Sequence, residues 1–575
     1  MRCLLAALLI TTTAPAGDSV WQSPFGVGGS HVNGRTVKDS RRWLPAMAAI
    51  GLREVRSPAL NWGALEREPG VWDWSRLDEQ VAYFESLGLR GNGTLIGNPA
   101  WNGWDAPGTL PVNNLVGWSE YVGRTVGHLR GRVRAYEVWN EPPNFTGKDQ
   151  TPADYAAVVR AAHDAAKEAD PDCLIGMAAK SAHVTYLQQA IRGGAKGRYD
   201  YVTLHPYECL SNVARGAGTE PVFLNVVPAL RAMLAESDPE KRDVPVVFTE
   251  LGVKASKGLG VQSAGLVKAY AMSLAQGVSC VHWFEGRDGD SGPMGLLDRE
   301  GKPRPAYRAM ASLIEYLGQS PAYVGWVALG GSGGHYAFVF EGAEGPVAAA
   351  WTPLPGGDAV RLPAAVRVID PAGDRDERAA AFTLSDRPLL LIGLPESVVA
   401  AAKSNRGRRT PWVGDDGPDD YSEAEAVSIE FGETTTERGL HSLAGDAVAE
   451  AVLAYGGSAR SGGVPGGTAF AVDPAFLTFG GGPVEITVEV RRNEANDNAG
   501  FKLVYESPKG FSTAGGWYTV PDNTQWHTKT FRIEDPQFVG YWGYHFNLVS
   551  DGDVYNRYLI RRVEVRKVGG TKAQN

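Results

Sequence analysis

The stretch Arg134-Ala-Tyr-Glu-Val-Trp-Asn-Glu-Pro-Pro143 decides the fold class of this chain. It begins as a short, largely apolar run that predicts a buried strand, and it ends at the acidic residue Glu141. Pro142 follows, and because proline cannot donate to a strand ladder, the strand is predicted to stop there. A buried strand that ends in a carboxylate and a turn is typical of barrels with functional loops at one end.

Strand candidates of the same kind recur on both sides of this stretch and alternate with helical patterns from Phe25 to about Gly318. One helix is predicted over residues 75–87 and another over 152–169, with Thr151 as the N-cap. Eight β/α units in about 290 residues predict an α/β fold of the (β/α)8, or TIM-barrel, type, here over residues 20–318. The eight strand candidates are 25–31, 52–58, 89–99, 134–143, 173–179, 199–207, 244–253 and 280–288.

The pattern changes after the barrel, because short alternating strands replace the helices. Residues 319–402 are predicted to form a small β-domain packed on the barrel, and the polar stretch 403–425 a linker. In residues 426–568, Val484, Ile486, Val488 and Val490 alternate with polar residues, which predicts a C-terminal β-sandwich. The linker suggests that this sandwich is dispensable for chemistry and acts as a carbohydrate-binding or attachment module.

Aromatic residues in the sandwich are the candidates for sugar contacts, because flat rings stack on the apolar faces of sugars. Packing of the same rings in the core is the alternative for each of them. The six candidates are Trp517, Tyr518, Trp526, Tyr541, Trp542 and Tyr544.

The net charge of the chain and its N-terminal residues limit the possible partners and the expected location of the protein. The 575-residue chain has a formal net charge of −9, which argues against a nucleic-acid partner. Residues 1–16 resemble a secretory signal peptide, with Arg2, an apolar stretch and the small-residue site Ala14-Pro-Ala16, so a secreted or periplasmic location is expected. The apolar stretch is too short to span a membrane, and the sequence shows no longer one. The oligomeric state is left open.

Two of the eight strand candidates finish in a glutamate followed by a turn, namely Glu141 and Glu250. Glu250 lies in Phe248-Thr-Glu-Leu-Gly252, where an apolar strand ends in a charge that needs a partner or a function. Hydrolysis of a glycosidic bond with retention of configuration needs two carboxyl groups about 5–5.5 Å apart. Strand ends of one barrel can supply such a pair.

The motifs around these glutamates resemble those of the clan A glycoside hydrolases, and most closely those of glycoside hydrolase family 39 and its relatives. The resemblance covers about residues 20–395. It rests on Asn140-Glu-Pro142 on strand four, Glu250 on strand seven, Arg56 on strand two, His205-Pro-Tyr207 on strand six, Trp283 on strand eight, and the passages 68–78 and 295–307.

The resemblance implies a role for each matching residue. Glu141 would be the general acid and then the general base, and Glu250 the nucleophile that forms a glycosyl-enzyme ester. Asn140 would hold the sugar hydroxyl beside the anomeric carbon, and Arg56 and Tyr207 would keep Glu250 ionised. In addition, His205 would contact the sugar and Trp283 would form the floor beneath it. The anionic Glu250 is expected to raise the pKa of Glu141.

Further residues are weaker candidates. Trp101, in the loop after strand three, and Glu285, after Trp283, are candidates for substrate contact. Asn144 and Phe145 follow the proposed acid/base and are candidates for shaping the pocket, whereas Glu137, within strand four, is interpreted as structural. No residue cluster has metal-ligand spacing and no glycine-rich loop precedes a helix, so no metal or cofactor is expected.

Three functions remain open at this point. The first is a retaining glycosidase acting on a poly- or oligosaccharide. The second is a transglycosylase, which would use the same residues but exclude water from the second step. The third is a non-catalytic carbohydrate-binding protein on a degenerate barrel, which the presence of both carboxylates disfavours.

Overall fold

In the computed structural model the described residues are 20–28, 40–289, 291–330, 333–443, 451–454, 457–462, 467–493, 498–552 and 555–569. The predicted signal peptide and the end of the first strand candidate, residues 29–31, lie outside them.

Eight parallel strands close into a barrel, in which β1 pairs with both β2 and β8. Each of the eight candidate stretches overlaps one of these strands, so the predicted TIM barrel is confirmed, although β2 and β5 run past the predicted ends. The strands are β1 (Phe25–Gly28), β2 (Glu54–Asn61), β3 (Arg90–Ile96), β4 (Ala135–Val138), β5 (Leu174–Lys180), β6 (Tyr201–His205), β7 (Val246–Leu251) and β8 (Cys280–Phe284).

Helices lie between and after the barrel strands and bury their apolar faces against them. The helix α5 spans Pro152–Ala169, as predicted. Thr151 Oγ1 accepts from the Asp154 backbone N–H, and the Asp154 carboxylate accepts from the Thr151 backbone N–H, which forms a capping box. The helices are α1 (Leu44–Ala49), α2 (Trp62–Leu65), α3 (Ser75–Ser86), α4 (Leu115–His128), α5 (Pro152–Ala169), α6 (Val184–Ala190), α7 (Tyr207–Ala214), α8 (Glu220–Leu224), α9 (Val226–Ser237), α10 (Leu259–Ala275), α11 (Pro305–Leu317) and α12 (Glu396–Asn405).

A six-stranded antiparallel sheet follows the barrel, in the order β9-β10-β11-β14-β12-β13. One face has its own apolar core, while Tyr336, Phe338 and Trp351 on the other face belong to the apolar cluster of the barrel. The sheet is therefore packed on the barrel. Its strands are β9 (Ala322–Trp326), β10 (Tyr336–Gly342), β11 (Gly345–Trp351), β12 (Asp358–Ile369), β13 (Asp376–Leu384) and β14 (Leu389–Ile392).

The C-terminal region forms two facing antiparallel sheets around an apolar core. Val484, Ile486, Val488 and Val490 are all buried in that core, which explains their alternation with polar residues in the sequence. The strands are β15 (Ala426–Phe431), β16 (Thr435–Arg438), β17 (Leu440–Ser442), β18 (Ala451–Ala454), β19 (Gly457–Ser461), β20 (Thr468–Val472), β21 (Val484–Arg492), β22 (Gly500–Ser507), β23 (Gly510–Thr519), β24 (His527–Ile533), β25 (Phe546–Val549) and β26 (Tyr558–Lys567).

The stretch 403–425 is not the solvated linker that its composition suggests. Its first residues complete α12, and Trp412 and Val413 are buried in the apolar cluster of the barrel. The Trp412 ring stacks on His441 with their centroids 3.7 Å apart, and Tyr421 is buried in the sandwich core. The stretch is polar on average, but it contains a few large apolar side chains that pack on the barrel and on the sandwich.

The sandwich also shares apolar surface with the barrel. Leu443, Ala469, Phe479 and Val539 are buried and belong to the same cluster as the barrel core. Removing the sandwich would expose this surface to water, at a cost of about 25 cal/mol per Å². The sandwich is therefore joined to the barrel by buried apolar contacts, and its dispensability for chemistry stays a prediction.

His441 makes this junction sensitive to pH. Its ring nitrogens lie 2.9 Å from Glu437 Oε2 and 3.2 Å from Asp415 Oδ2. Burial lowers the pKa of His441, but the hydrogen bonds and charges of Asp415 and Glu437 outweigh this effect and raise it from 6.5 to about 9. The stabilisation from protonated His441 is therefore fully present below pH 6.5 and is lost as the pH rises through about 9.

We expect His441→Gln to lower the melting temperature clearly at about pH 6 and much less at about pH 9.5. Thermal unfolding at both pH values measures this difference. His527→Gln, which alters a half-buried histidine of the same sandwich, is the control. An equal loss at the two pH values would show that the charge of His441 does not stabilise the junction.

Within the described part of the chain, no helix combines the length and the apolar character needed to span a membrane.

Candidate active site

The carboxyl ends of β2, β4, β6 and β7 bring a group of polar side chains together. Arg56 Nη1 donates to Glu250 Oε1, and Tyr207 Oη donates to Glu250 Oε2 at 2.9 Å. His205 Nδ1 lies 2.8 Å from Glu141 Oε1. Arg56, Glu250 and Tyr207 thus form one hydrogen-bonded set and Glu141 and His205 another, and His205 Nδ1 lies 3.9 Å from Glu250 Oε2 between the two sets. Both sets lie at the end of the barrel where sites are found.

The backbone around Glu141 is strained. Trp139 has φ 67° and Glu141 has φ 48°, in the left-handed region that non-glycine residues seldom occupy. Such conformations cost about 1–3 kcal/mol each and persist only when surrounding contacts fix them. Here Trp139 N donates to Leu95 O at 2.8 Å, and Lys180 N donates to Pro142 O at 3.0 Å. The strain turns the Glu141 side chain away from the strand and towards His205.

Arg56 binds a second carboxylate, that of Glu137, in addition to Glu250. Arg56 Nε and Nη2 donate to the two carboxylate oxygens of Glu137 at 3.2 and 3.1 Å, and both side chains are buried. This two-point contact fixes the plane of the guanidinium, so that Nη1 faces Glu250. Glu137, interpreted from the sequence as structural, is thus the residue that positions Arg56.

Asn140 is oriented by the same guanidinium. Arg56 Nη2 donates to Asn140 Oδ1 at 2.6 Å. Since arginine only donates hydrogen bonds, the amide oxygen must face Arg56 and the amide NH₂ must face the other way. The amide of Asn140 can therefore donate to a ligand.

The two carboxyl groups are close together. One oxygen of Glu141, one oxygen of Glu250 and a ring nitrogen of His205 all lie within 4.8 Å of one another. Three such groups can in principle hold a metal ion. However, the Arg56 guanidinium already supplies a positive charge on Glu250, which disfavours a cation there, and we assign no metal to the group.

The pKa of Glu141 does not shift in the expected direction. Burial raises it, but the hydrogen bond and charge of His205 and the charge of Arg56 lower it more, and the net direction is downward. In turn, burial lowers the pKa of His205, and the charges of Glu250 and Glu141 together with the Glu141 hydrogen bond raise it. Both pKa shifts favour the imidazole over the carboxyl group as the holder of a proton shared by this pair. The expectation that Glu250 raises the pKa of Glu141 overlooked His205.

Trp283 does not reach the site, and this prediction is wrong by one residue. Successive residues of a strand face opposite sides. His282 faces the barrel interior, where its Nε2 lies 3.2 Å from Asn92 Nδ2, and Phe284 shares that face. Trp283 is fully buried in the outer apolar cluster. The aromatic residue at the site is Phe284, whose ring packs edge-on against Tyr207 at 6.3 Å.

Glu285 is also not available for substrate contact. It is fully buried, and its Oε1 accepts a hydrogen bond from Gly289 N at 2.8 Å, within the loop that follows β8. It therefore shapes this loop. Trp101 is half-buried, its Nε1 donates to Glu66 O at 2.9 Å, and its ring packs edge-on against Trp62. A sugar contact by Trp101 stays a prediction.

Sequence reasoning missed several residues of the site. Thr249 Oγ1 lies 2.8 Å from His205 Nε2, and its place beside Glu250 was a usable signal. Phe284 adjoins Trp283, and the short apolar run of β8 does not show which of the two faces the barrel interior. Tyr541 and Trp542 of the sandwich lie against this end of the barrel, at Ser181 and Lys180. No local signal reports a contact across such a distance in the sequence.

Comparison with known proteins adds a fold-level assignment. Neither a protein-family model nor a curated protein matches the sequence. The structure matches a family 39 glycoside hydrolase from the gut symbiont Bacteroides cellulosilyticus WH2 with a TM-score of 0.53 and 20% identity, over 65% of this chain and 82% of that chain. The matched part of this chain therefore has the fold of that family 39 glycoside hydrolase.

Two further matches have lower TM-scores. A GH39 β-xylosidase from Caulobacter crescentus matches at a TM-score of 0.45 and 19% identity, over 65% of this chain and 97% of that chain. A glucosidase from Croceicoccus marinus matches at 0.40 and 12% identity, over 91% of this chain and 92% of that chain. At such identities, similarity describes the fold and leaves the reaction to be argued from the site.

Proposed function

We propose that this protein is a retaining glycoside hydrolase that acts on a poly- or oligosaccharide by double displacement. The observation that carries the proposal is the closeness of the two carboxylates, since one oxygen of Glu141 lies within 4.8 Å of one oxygen of Glu250. Retaining enzymes have carboxyl groups about 5–5.5 Å apart, whereas inverting enzymes need about 6.5–9.5 Å to admit a water molecule. The glycosidase fold supports the same conclusion.

In the first step, a Glu250 oxygen attacks the anomeric carbon while the bond to the leaving-group oxygen breaks. Glu141 protonates that oxygen, so the leaving sugar departs as a neutral alcohol. Arg56 and Tyr207 donate hydrogen bonds to the Glu250 carboxylate and hold it in position for attack. The Asn140 amide donates to the sugar hydroxyl beside the reacting carbon, where such bonds strengthen in the transition state.

In the second step, water attacks the anomeric carbon of the glycosyl-enzyme ester and the carbon–oxygen bond to Glu250 breaks. Glu141, now a carboxylate, takes the proton of the water. Glu250 leaves as a carboxylate, and the site is restored. Two displacements at one carbon return the original configuration.

The proton that Glu141 delivers is shared with His205. Both pKa shifts favour the imidazole as its holder in the free protein, and its transfer across the 2.8 Å contact from His205 Nδ1 to Glu141 Oε1 then precedes protonation of the leaving group. Bound substrate shields the pair from water, which disfavours the two separated charges and favours this transfer. His205 thereby acts as the proton store for the general acid.

We also propose that the protein is exported, on the strength of its N-terminal sequence alone.

Retention is tested by following the first-formed sugar product with proton NMR before it mutarotates. We expect the product to have the anomeric configuration of the substrate. A panel of 4-nitrophenyl glycosides of xylose, glucose, galactose and mannose, in both configurations, first identifies the sugar that is cleaved. An inverted first product would exclude the covalent mechanism and the roles given to both glutamates.

Transglycosylation uses the same residues and differs only in the acceptor of the second step. Product analysis with and without an added acceptor sugar separates it from hydrolysis. Free sugar as the main product in the absence of acceptor supports hydrolysis.

A further inference from the structure

One short segment of the sandwich, Gly540-Tyr-Trp-Gly-Tyr544, lies at the active-site end of the barrel and is here called the docking loop. Three of its carbonyl oxygens accept hydrogen bonds from barrel side chains. Cys209 Sγ lies 3.0 Å from Gly540 O, Ser181 Oγ 2.5 Å from Tyr541 O, and Asn212 Nδ2 3.0 Å from Gly543 O. The loop is thus seated on the end of β5 and on α7.

The docking loop is also held rigidly from its own side. The buried Glu506 carboxylate accepts backbone N–H bonds from Val539, Gly540 and Tyr541, at 3.0, 3.0 and 2.8 Å. A buried carboxylate with three backbone donors fixes the path of the chain. Both the sandwich and the barrel therefore determine where Tyr541 and Trp542 lie.

A chain of contacts joins the docking loop to Glu141. A hydrogen bond from Asn144 is among the causes that lower the pKa of Glu141. Lys180 Nζ lies 3.4 Å from Asn144 Oδ1 and 4.7 Å from the centroid of the Trp542 ring. Trp542 is partly exposed, so its ring borders solvent on the acid/base side of the site.

Tyr541 gives an independent measure of this proximity. Its ring packs against His183 at 4.2 Å, next to Ser181. Burial raises the pKa of Tyr541 to about 12, and the charges of Glu208, Glu506 and Glu141 contribute to the rise. The docking loop is therefore close enough to the proposed general acid for their charges to interact.

The leaving-group sugar must occupy this side of the site. Glu141 has to lie within hydrogen-bond distance of the glycosidic oxygen that it protonates, so the departing sugar extends past Glu141. Asn144 hydrogen-bonds Glu141, and Lys180 and Trp542 follow it in the chain of contacts on this side. Together they offer an amide, a cation and an aromatic surface, which suit a polyhydroxylated ring.

We propose that Trp542, presented by the C-terminal sandwich beside Lys180, contacts the leaving-group sugar and helps to select it. The inference rests on the proposed function and deepens it. On this basis the sandwich is part of the active site and not a separate binding module. The barrel supplies the groups that react at the anomeric carbon, and the docking loop supplies recognition of the sugar on the other side of the bond.

The test compares two substrates of the sugar and configuration selected by the 4-nitrophenyl panel. The glycosyl fluoride has no leaving sugar to contact Trp542, whereas the disaccharide does. We expect Trp542→Ala to lower kcat/KM on the disaccharide about tenfold and to change it less than about twofold on the fluoride. Trp542→Phe should recover most of the activity on the disaccharide, because it keeps an aromatic face.

Two controls separate contact from folding. Tyr555→Ala removes a partly exposed aromatic side chain of the same sandwich, which packs on Trp517, and it should leave both substrates unaffected. Melting temperatures of all variants show whether the junction is intact. A second readout is transfer to an added sugar acceptor, which Trp542→Ala should reduce relative to hydrolysis.

Three other outcomes would overturn the inference. If Trp542→Ala lowers kcat/KM equally on both substrates, Trp542 only supports the fold. If it changes neither, the docking loop does not contact the leaving sugar, and the proposed function stands. Absence of turnover by the unaltered protein on the whole panel would instead overturn the proposed function, and the inference with it.

Discussion

Glu250→Ala is expected to lower kcat by about 10⁴-fold or more on every substrate, because it removes the nucleophile itself. The variant should still fold, since Arg56 keeps its two-point contact with Glu137. Added azide fits the space of the missing carboxylate and attacks the anomeric carbon directly. The product should be a glycosyl azide with the configuration opposite to that of the substrate, identified by proton NMR.

Two further variants control this experiment. Glu250→Gln keeps the size of the side chain and should be equally inactive, which separates loss of the nucleophile from loss of packing. Glu236→Ala removes a half-exposed carboxylate outside the site and should leave activity unchanged. A rescued product of unchanged configuration would contradict the role assigned to Glu250.

Glu141→Ala is expected to lower kcat/KM by about 10²–10⁴-fold on a disaccharide, whose leaving group needs a proton. The loss should be much smaller on a substrate with a good leaving group, because only the second step then lacks its base. Azide should accelerate that second step and give a glycosyl azide with the same configuration as the substrate. Kinetics on both substrates, with product analysis, measure these effects.

The pH dependence supplies the control for Glu141. In the unaltered protein the Glu141–His205 pair must carry one proton for the first step, so activity on the disaccharide should fall as rising pH removes it. In Glu141→Ala, turnover of the substrate with a good leaving group should lack this alkaline fall. If the fall persists, the titrating group is not the pair, and Glu141 is not the acid.

The barrel and its two glutamates were predictable because their signals are local. Eight apolar runs separated by amphipathic helices specify parallel β/α units, whatever the rest of the chain does. Glu141 and Glu250 were recognisable as charged residues at the ends of buried strands, where an unpaired charge is unfavourable. The capping box of Thr151 and Asp154 is encoded within four residues, so the start of α5 was found to the residue.

The sequence predicted less well which face of a strand each residue occupies. Trp283 and Phe284 are adjacent aromatic residues, and a shift of one position moves a side chain from the barrel interior to the helix layer. Pairing with the neighbouring strands decides this register, and a short apolar run does not report it. The predicted direction of the Glu141 pKa shift was wrong for a related reason. His205 lies 64 residues away in the sequence and becomes the partner of Glu141 only when the barrel closes.

The sequence by itself therefore determined the barrel, the β-rich regions after it and the positions of the two carboxylates, because strand periodicity and strand ends are properties of neighbouring residues. Only the tertiary structure decided that these carboxylates face each other with Arg56, His205 and Tyr207 around them. It alone brought the docking loop to Lys180, more than three hundred residues away. Such contacts depend on how whole elements pack, and the free energy that fixes them comes from buried surfaces that no local pattern describes.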